Sequence, residues 1–101
     1  MNKLVDRTVL WGYNKGIFTK STPIIQHEKM VEEVEEVRVE ILAGNVDKVR
    51  GELGDVMVTV IIQAEMWGLD PIECLTEAVN KITGRSGRMI DGMYVKDEES
   101  L

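Results

Sequence analysis

The stretch GELGDVMVTVIIQAEM, residues 51–66, decides the fold. Its centre, VMVTVII from Val56 to Ile62, is rich in β-branched residues and is compatible with a strand. Three features favour a helix instead. The run is long between its stop signals, from Asn45, suited to cap a helix start, to Gly68, suited to end one. No second strand-like run offers a pairing partner. Glu52 and Asp55 stand three apart, a spacing that puts both carboxylates on one face only in a helix.

Working outward from this helix, Gly44 just upstream reads as the left-handed end of another. That helix starts at Thr22-Pro23, a cap followed by proline in the first turn, and runs to about Ala43. Before it, GIFTKSTP reads as a connector. Leu4, Val5, Val9 and Leu10 recur at helical spacing, so a first helix covers roughly residues 2 to 14. Downstream, Asp70-Pro71-Ile72-Glu73 forms a capping box that opens a fourth helix, ending near Thr83 and Gly84. The basic loop GRSGR and then DGMYV, a turn into an extended piece, close the chain. The expected fold is all-α: an antiparallel four-helix bundle unit with a short extended C-terminal segment. The 101 residues are expected to form a single domain, 1–101.

Composition narrows the function. Hydrophobic residues make up 44%, the range of a globular chain. A net charge of -6 argues against broad nucleic-acid or anionic-membrane binding. The single cysteine, Cys74, cannot close an internal disulfide, which points to the cytoplasm. The only histidine, His27, has no nucleophile partner in a recognisable arrangement. The N-terminus is too polar for a signal peptide, and the longest apolar run is too short to span a membrane.

The second helix carries KMVEEVEEVRVEI, residues 29–41, with Glu32, Glu33, Glu35, Glu36 and Glu40. Met30, Val34, Val37 and Ile41 form its apolar stripe, with Glu33 on one shoulder and Glu36 one turn on. In the third helix Leu53, Val56, Met57, Val60 and Ala64 form the expected core stripe, with Glu52 and Asp55 on its shoulder. Two readings stay open at this point. The acids are solvated faces, as Glu35 and Glu40 are taken to be, with Lys29 and Glu33 an ordinary helical pair. Alternatively Glu33, Glu36, Glu52 and Asp55 converge, and a divalent cation offsets their repulsion. All-oxygen ligation suits Mg²⁺, or Mn²⁺, and disfavours zinc. Gly51 and Gly54, each unfavourable inside a helix, point to close helix approach or to room for a ligand.

EEVEE, Glu32 to Glu36, matches an EExxE pattern, and ELGD, Glu52 to Asp55, matches ExxD. Gln26 and Lys29 precede them as in Q-x-x-K-x-x-EE, and Trp11 with YNKGI stands in the first helix and turn. This ordered set resembles the MazG-like family of all-α nucleoside triphosphate pyrophosphohydrolases, and NKITGRSGRMIDGMYVK resembles the tail of its small bacterial and phage members. The resemblance implies Mg²⁺-dependent hydrolysis of a nucleoside triphosphate to the monophosphate and pyrophosphate. By position, Glu33, Glu36, Glu52 and Asp55 match the metal ligands, and Glu32 matches the first motif glutamate, which either supports a ligand or helps orient water. It also implies a homodimer or homotetramer. A third helix apolar nearly all round, with Val58 and Ile62 opposite Leu53 and Val60, agrees with a covering partner.

Phosphate charge calls for cations, and the candidates are Lys81, Arg85 and Arg88, although basic residues also suit a helix C-terminus. Lys29, Gln26, Asn80 and Trp11 are candidates for further substrate contacts, the tryptophan by stacking on a base. Two alternatives remain: a non-catalytic dimeric helical interaction module, and activity on phosphoribosyl-ATP.

Overall fold

The computed structural model describes residues 2–97. Five helices and one hairpin appear among them, in the order α1 (Lys3–Asn14), α2 (Ile17–Lys20), α3 (Pro23–Ala43), α4 (Val46–Met66), α5 (Pro71–Thr83), β1 (Gly87–Ile90) and β2 (Met93–Lys96). The fold is mostly helical, as expected, and the disputed VMVTVII run is helix throughout.

The helix boundaries follow from local chemistry. Asn2 Oδ1 accepts from the backbone N–H groups of Leu4 and Val5 and starts α1. Thr22 Oγ1 accepts from Ile25 N–H ahead of Pro23, and Asn45 Oδ1 accepts from Lys48 N–H. Each side chain satisfies an N–H that has no partner inside its helix. Gly44, at φ 67°, ends α3 in the left-handed conformation and lets α4 fold straight back along it.

The described chain divides into two compact units, one up to Pro71 and one from Ile72. In the first, α3 and α4 pack along their length, α1 packs on α4, and α2 packs on α1. The connector GIFTKSTP contains a feature absent from the sequence reading: a single helical turn, α2, started by Gly16 at φ 78°. Phe18 of α2 meets the Tyr13 ring at 4.4 Å between centroids. Gly12 is where these elements come closest. A Cβ there would lie 2.7 Å from Phe18 Cε2 and 2.8 Å from Ile62 Cδ1.

One expectation about packing holds only in part. Leu53, Met57 and Val60, read as the core stripe of α4, are 49%, 65% and 45% exposed. Of that stripe only Ala64 is buried and Val56 half-buried, while Thr59 and Ile62, further round the helix, are the other buried residues of α4. The Val58 and Ile62 side, expected under a partner subunit, is covered within the chain instead, where Gly12 of α1 lies against Ile62. On α3, Val34 and Ile41 are likewise exposed. Gly51 and Gly54 have nothing within 4 Å of an added Cβ among the described residues, so no close approach among these accounts for them.

In the second unit α5 carries Ile72, Leu75, Val79 and Ile82 on one face, all exposed. The extended piece expected after it is a two-stranded antiparallel hairpin pairing Gly87 with Lys96 through to Ile90 with Met93. Asp91 and Gly92 make its turn, both at positive φ (51° and 81°), as a two-residue hairpin loop requires. Arg88 therefore sits on a strand and not in a loop. No helix among the described residues is long and apolar enough to cross a membrane.

Candidate metal centre and adjoining cavity

Glu33 and Glu36 project from α3 and Glu52 from the facing α4, and carboxylate oxygens of all three lie within 4.8 Å of one another. Like charges so close repel, and a proton is one way to relieve them. Glu36 shows this: its carboxyl is held above the ordinary glutamate range. Its hydrogen bond with Glu52 is the largest cause, followed by the negative charge of Glu33 and by desolvation.

Lys29, one turn before Glu33, supplies the local positive charge. Its Nζ lies 3.1 Å from Glu33 Oε1 and 3.6 Å from Glu32 Oε2. The hydrogen bond to Glu33 is the first cause of a raised Lys29 pKa, ahead of the charges of Glu32 and Glu33. Among the described residues two buried oxygens, Glu33 Oε2 and Glu52 Oε2, have no hydrogen-bond partner. Buried carboxylate oxygens without donors are costly. Both belong to the three-residue cluster, so the donor set fits a hard divalent cation bound through oxygen.

Beside the cluster lies a cavity of about 560 Å³. Glu32, Glu33, Lys29 and Asp55 form its charged side; Trp11, Ile17, Ile25, Val58 and Ile62 form an apolar wall. Gln26 also reaches it, its Nε2 donating to Ser21 Oγ at 3.0 Å. Thr59 is buried in the same wall, its hydroxyl donating to Val56 O at 2.6 Å.

The structure thus brings Trp11, Gln26, Lys29, Glu32, Glu33 and Asp55 around one cavity. Asp55 is exposed and stands outside the three-carboxylate cluster, one helical turn beyond Glu52. Asn80 and Lys81 lie near the end of α5, Arg85 follows it, and Arg88 is on β1, all in the second unit. The sequence reading did not single out Glu28, Ile25, Ile17, Val58, Thr59 or Ile62 as lining this cavity. Ile25 and Glu28 were detectable, since each stands four residues before Lys29 or Glu32 on the same helix. The others enter only because α1 and α2 pack where they do.

Comparison with curated proteins and with solved structures yields no match. The family model of the MazG nucleotide pyrophosphohydrolase domain matches residues 22–90, from the cap of α3 through β1. That span holds both acidic motifs and covers more than half of the chain; with the clustered carboxylates of α3 and α4, it shows that this protein belongs to the MazG nucleotide pyrophosphohydrolase family.

Proposed function

We propose that the protein hydrolyses ribo- or deoxyribonucleoside triphosphates to the monophosphate and pyrophosphate with Mg²⁺, Mn²⁺ being able to substitute. The observation that carries this reading is the pair of buried, partnerless oxygens, Glu33 Oε2 and Glu52 Oε2, in a cluster closed by Glu36. A triphosphate and an acidic site repel each other unless a cation stands between them. Glu33, Glu36 and Glu52 hold that cation, and Asp55 completes the set from the cavity side. When bound, Mg²⁺ neutralises carboxylate and phosphate charge and activates water.

The rest of the work falls to the chain. Lys29 fixes Glu33 through Oε1 and leaves Oε2 turned to the cation. Glu32, at the charged side of the cavity, orients the attacking water and accepts its proton. Trp11 and the isoleucines around it receive the base and exclude water from one side, with Gln26 at a polar edge. Asn80, Lys81, Arg85 and Arg88 are assigned to the phosphates as further donors. The domain is taken as the whole of 1–101, which the match to 22–90 across both units supports.

The active form is a homodimer or homotetramer in the cytoplasm. Support comes from the exposed stripe Leu53, Met57 and Val60, the open Gly51 and Gly54 beside it, and the small buried core of each chain.

The test is pyrophosphate release from a panel of ribo- and deoxyribonucleoside triphosphates, with Mg²⁺ and with Mn²⁺. One pyrophosphate per monophosphate is expected for at least one substrate, and none with a chelator. Release that persists in the chelator, or no release from any nucleotide, overturns the reading.

A further inference from the structure

A second cavity, of about 420 Å³, adjoins the first and shares Trp11, Asp55 and Val58 with it. Leu4, Arg7 and Thr8 of α1 complete its lining. We infer that Arg7 holds the distal phosphates of the substrate, those that leave as pyrophosphate, in this second cavity. The inference rests on the triphosphate reading above and adds a subsite to it.

The argument is one of charge. The first cavity is lined by Glu28, Glu32, Glu33 and Asp55, which repel a polyphosphate. Across the linings of both cavities the basic residues are Lys29 and Arg7. Lys29 is engaged by Glu33 and Glu32. Arg7 makes no ion pair or hydrogen bond among the described residues, although Asp55 lines the same cavity. An unpaired guanidinium is always charged, and its planar fork of donors fits phosphate oxygens two at a time.

Position agrees with charge. Asp55 stands one turn along α4 from Glu52, a step of about 5 Å along the helix axis. That is within reach of a triphosphate whose α-phosphate sits at the carboxylates. Arg7 stands one turn before Trp11 on α1, so the base wall and the phosphate donor come from one helix face. Thr8 does not compete for this role, because its hydroxyl proton is given to Leu4 O at 2.8 Å. Arg7 also precedes the family match at 22–90, so nothing in the acidic motifs assigns it.

The experiment uses the full chain with Mg²⁺ and measures calorimetric affinity for inorganic pyrophosphate and for nucleoside monophosphates, with KM for the triphosphates. Arg7→Met is expected to weaken pyrophosphate binding and raise KM by about tenfold, the loss of a charge-assisted contact, with monophosphate affinity within about twofold of wild type. Arg7→Lys is expected to fall between, since it keeps the charge and loses the fork. Pyrophosphate binding by Arg7→Met within about twofold of wild type overturns the inference, as does equal loss for monophosphate and pyrophosphate. Wild-type protein that cleaves triphosphates without binding pyrophosphate overturns it too. Pyrophosphate bound through Arg7 by a wild type that cleaves no triphosphate upholds the subsite and sinks the proposed reaction instead.

Discussion

Lys29 Nζ sits 3.1 Å from Glu33 Oε1, while Oε2 of the same carboxylate is buried with nothing to bond it. One side of Glu33 is neutralised from within the chain, and the other has no partner among the described residues, as the proposed cation site requires. Lys29→Met removes the internal charge and leaves a buried carboxylate unpaired. Because Lys29 is half exposed, the cost to the metal-free protein is about 1–2 kcal/mol rather than that of a fully buried pair. Thermal melts check this: the variant melts lower in chelator and gains more from added Mg²⁺ than wild type does.

Glu52→Gln separates chemistry from folding. It removes one of the partnerless oxygens and relieves repulsion with Glu36. Pyrophosphate release is expected to be lost, and the response of the melting temperature to Mg²⁺ with it. In chelator the variant melts at or above the wild-type temperature. Asp55→Asn is expected to lose activity as well, but to keep part of the Mg²⁺ response, because Asp55 stands outside the three-carboxylate cluster.

The raised Glu36 pKa gives a pH dependence whose sign follows from proton binding. The folded, metal-free chain holds the Glu36 proton more tightly than the unfolded chain does. This contribution to stability is therefore fully present below the unfolded glutamate pKa, about 4.3. It is lost as pH rises through the raised folded value. Melting curves of wild type and Glu36→Gln, both in chelator, read it out: wild type loses stability relative to the variant across that interval. Parallel curves for the two proteins would contradict it.

Gly12 predicts a packing effect remote from the carboxylates. Alanine there meets Phe18 and Ile62 at less than van der Waals distance. Gly12→Ala is expected to cost about 1–3 kcal/mol by overpacking, despite the better helix propensity of alanine. Denaturant titration measures the loss. Gly54→Ala, with open space around its Cβ, is expected to stabilise an isolated chain by about 0.5–1 kcal/mol.

Punctuation made most of the fold legible. Asn45, Gly44, Thr22-Pro23 and Pro71 mark helix ends that the structure has within a residue or so, because capping is decided locally. The hairpin was half legible: Asp91-Gly92 announced a turn, but the partner strand lies in GRMI, which read as loop. The three-residue spacing placed Glu33 and Glu36, and Glu52 and Asp55, in pairs, and the structure brings three of those four together. The orientation of α4 was not legible. A helix apolar nearly all round carries no mark of which side its own chain covers, and α1 settles it by packing on Ile62. Arg7 was hidden for the same reason, since its neighbours along the chain say nothing of the cavity it lines.

The cavity is built from two lengths of chain of different origin. Its acidic side lies within the segment that matches the family, and Trp11 and Ile17 of its apolar wall come from α1 and α2, ahead of that segment. Changes ahead of residue 22 therefore remodel part of the apolar wall without replacing any of the clustered carboxylates. The proposed phosphate contact of Arg7 lies in that same leading stretch, so exchanging it for that of another member is expected to shift both nucleotide choice and pyrophosphate affinity while the clustered carboxylates stay in place.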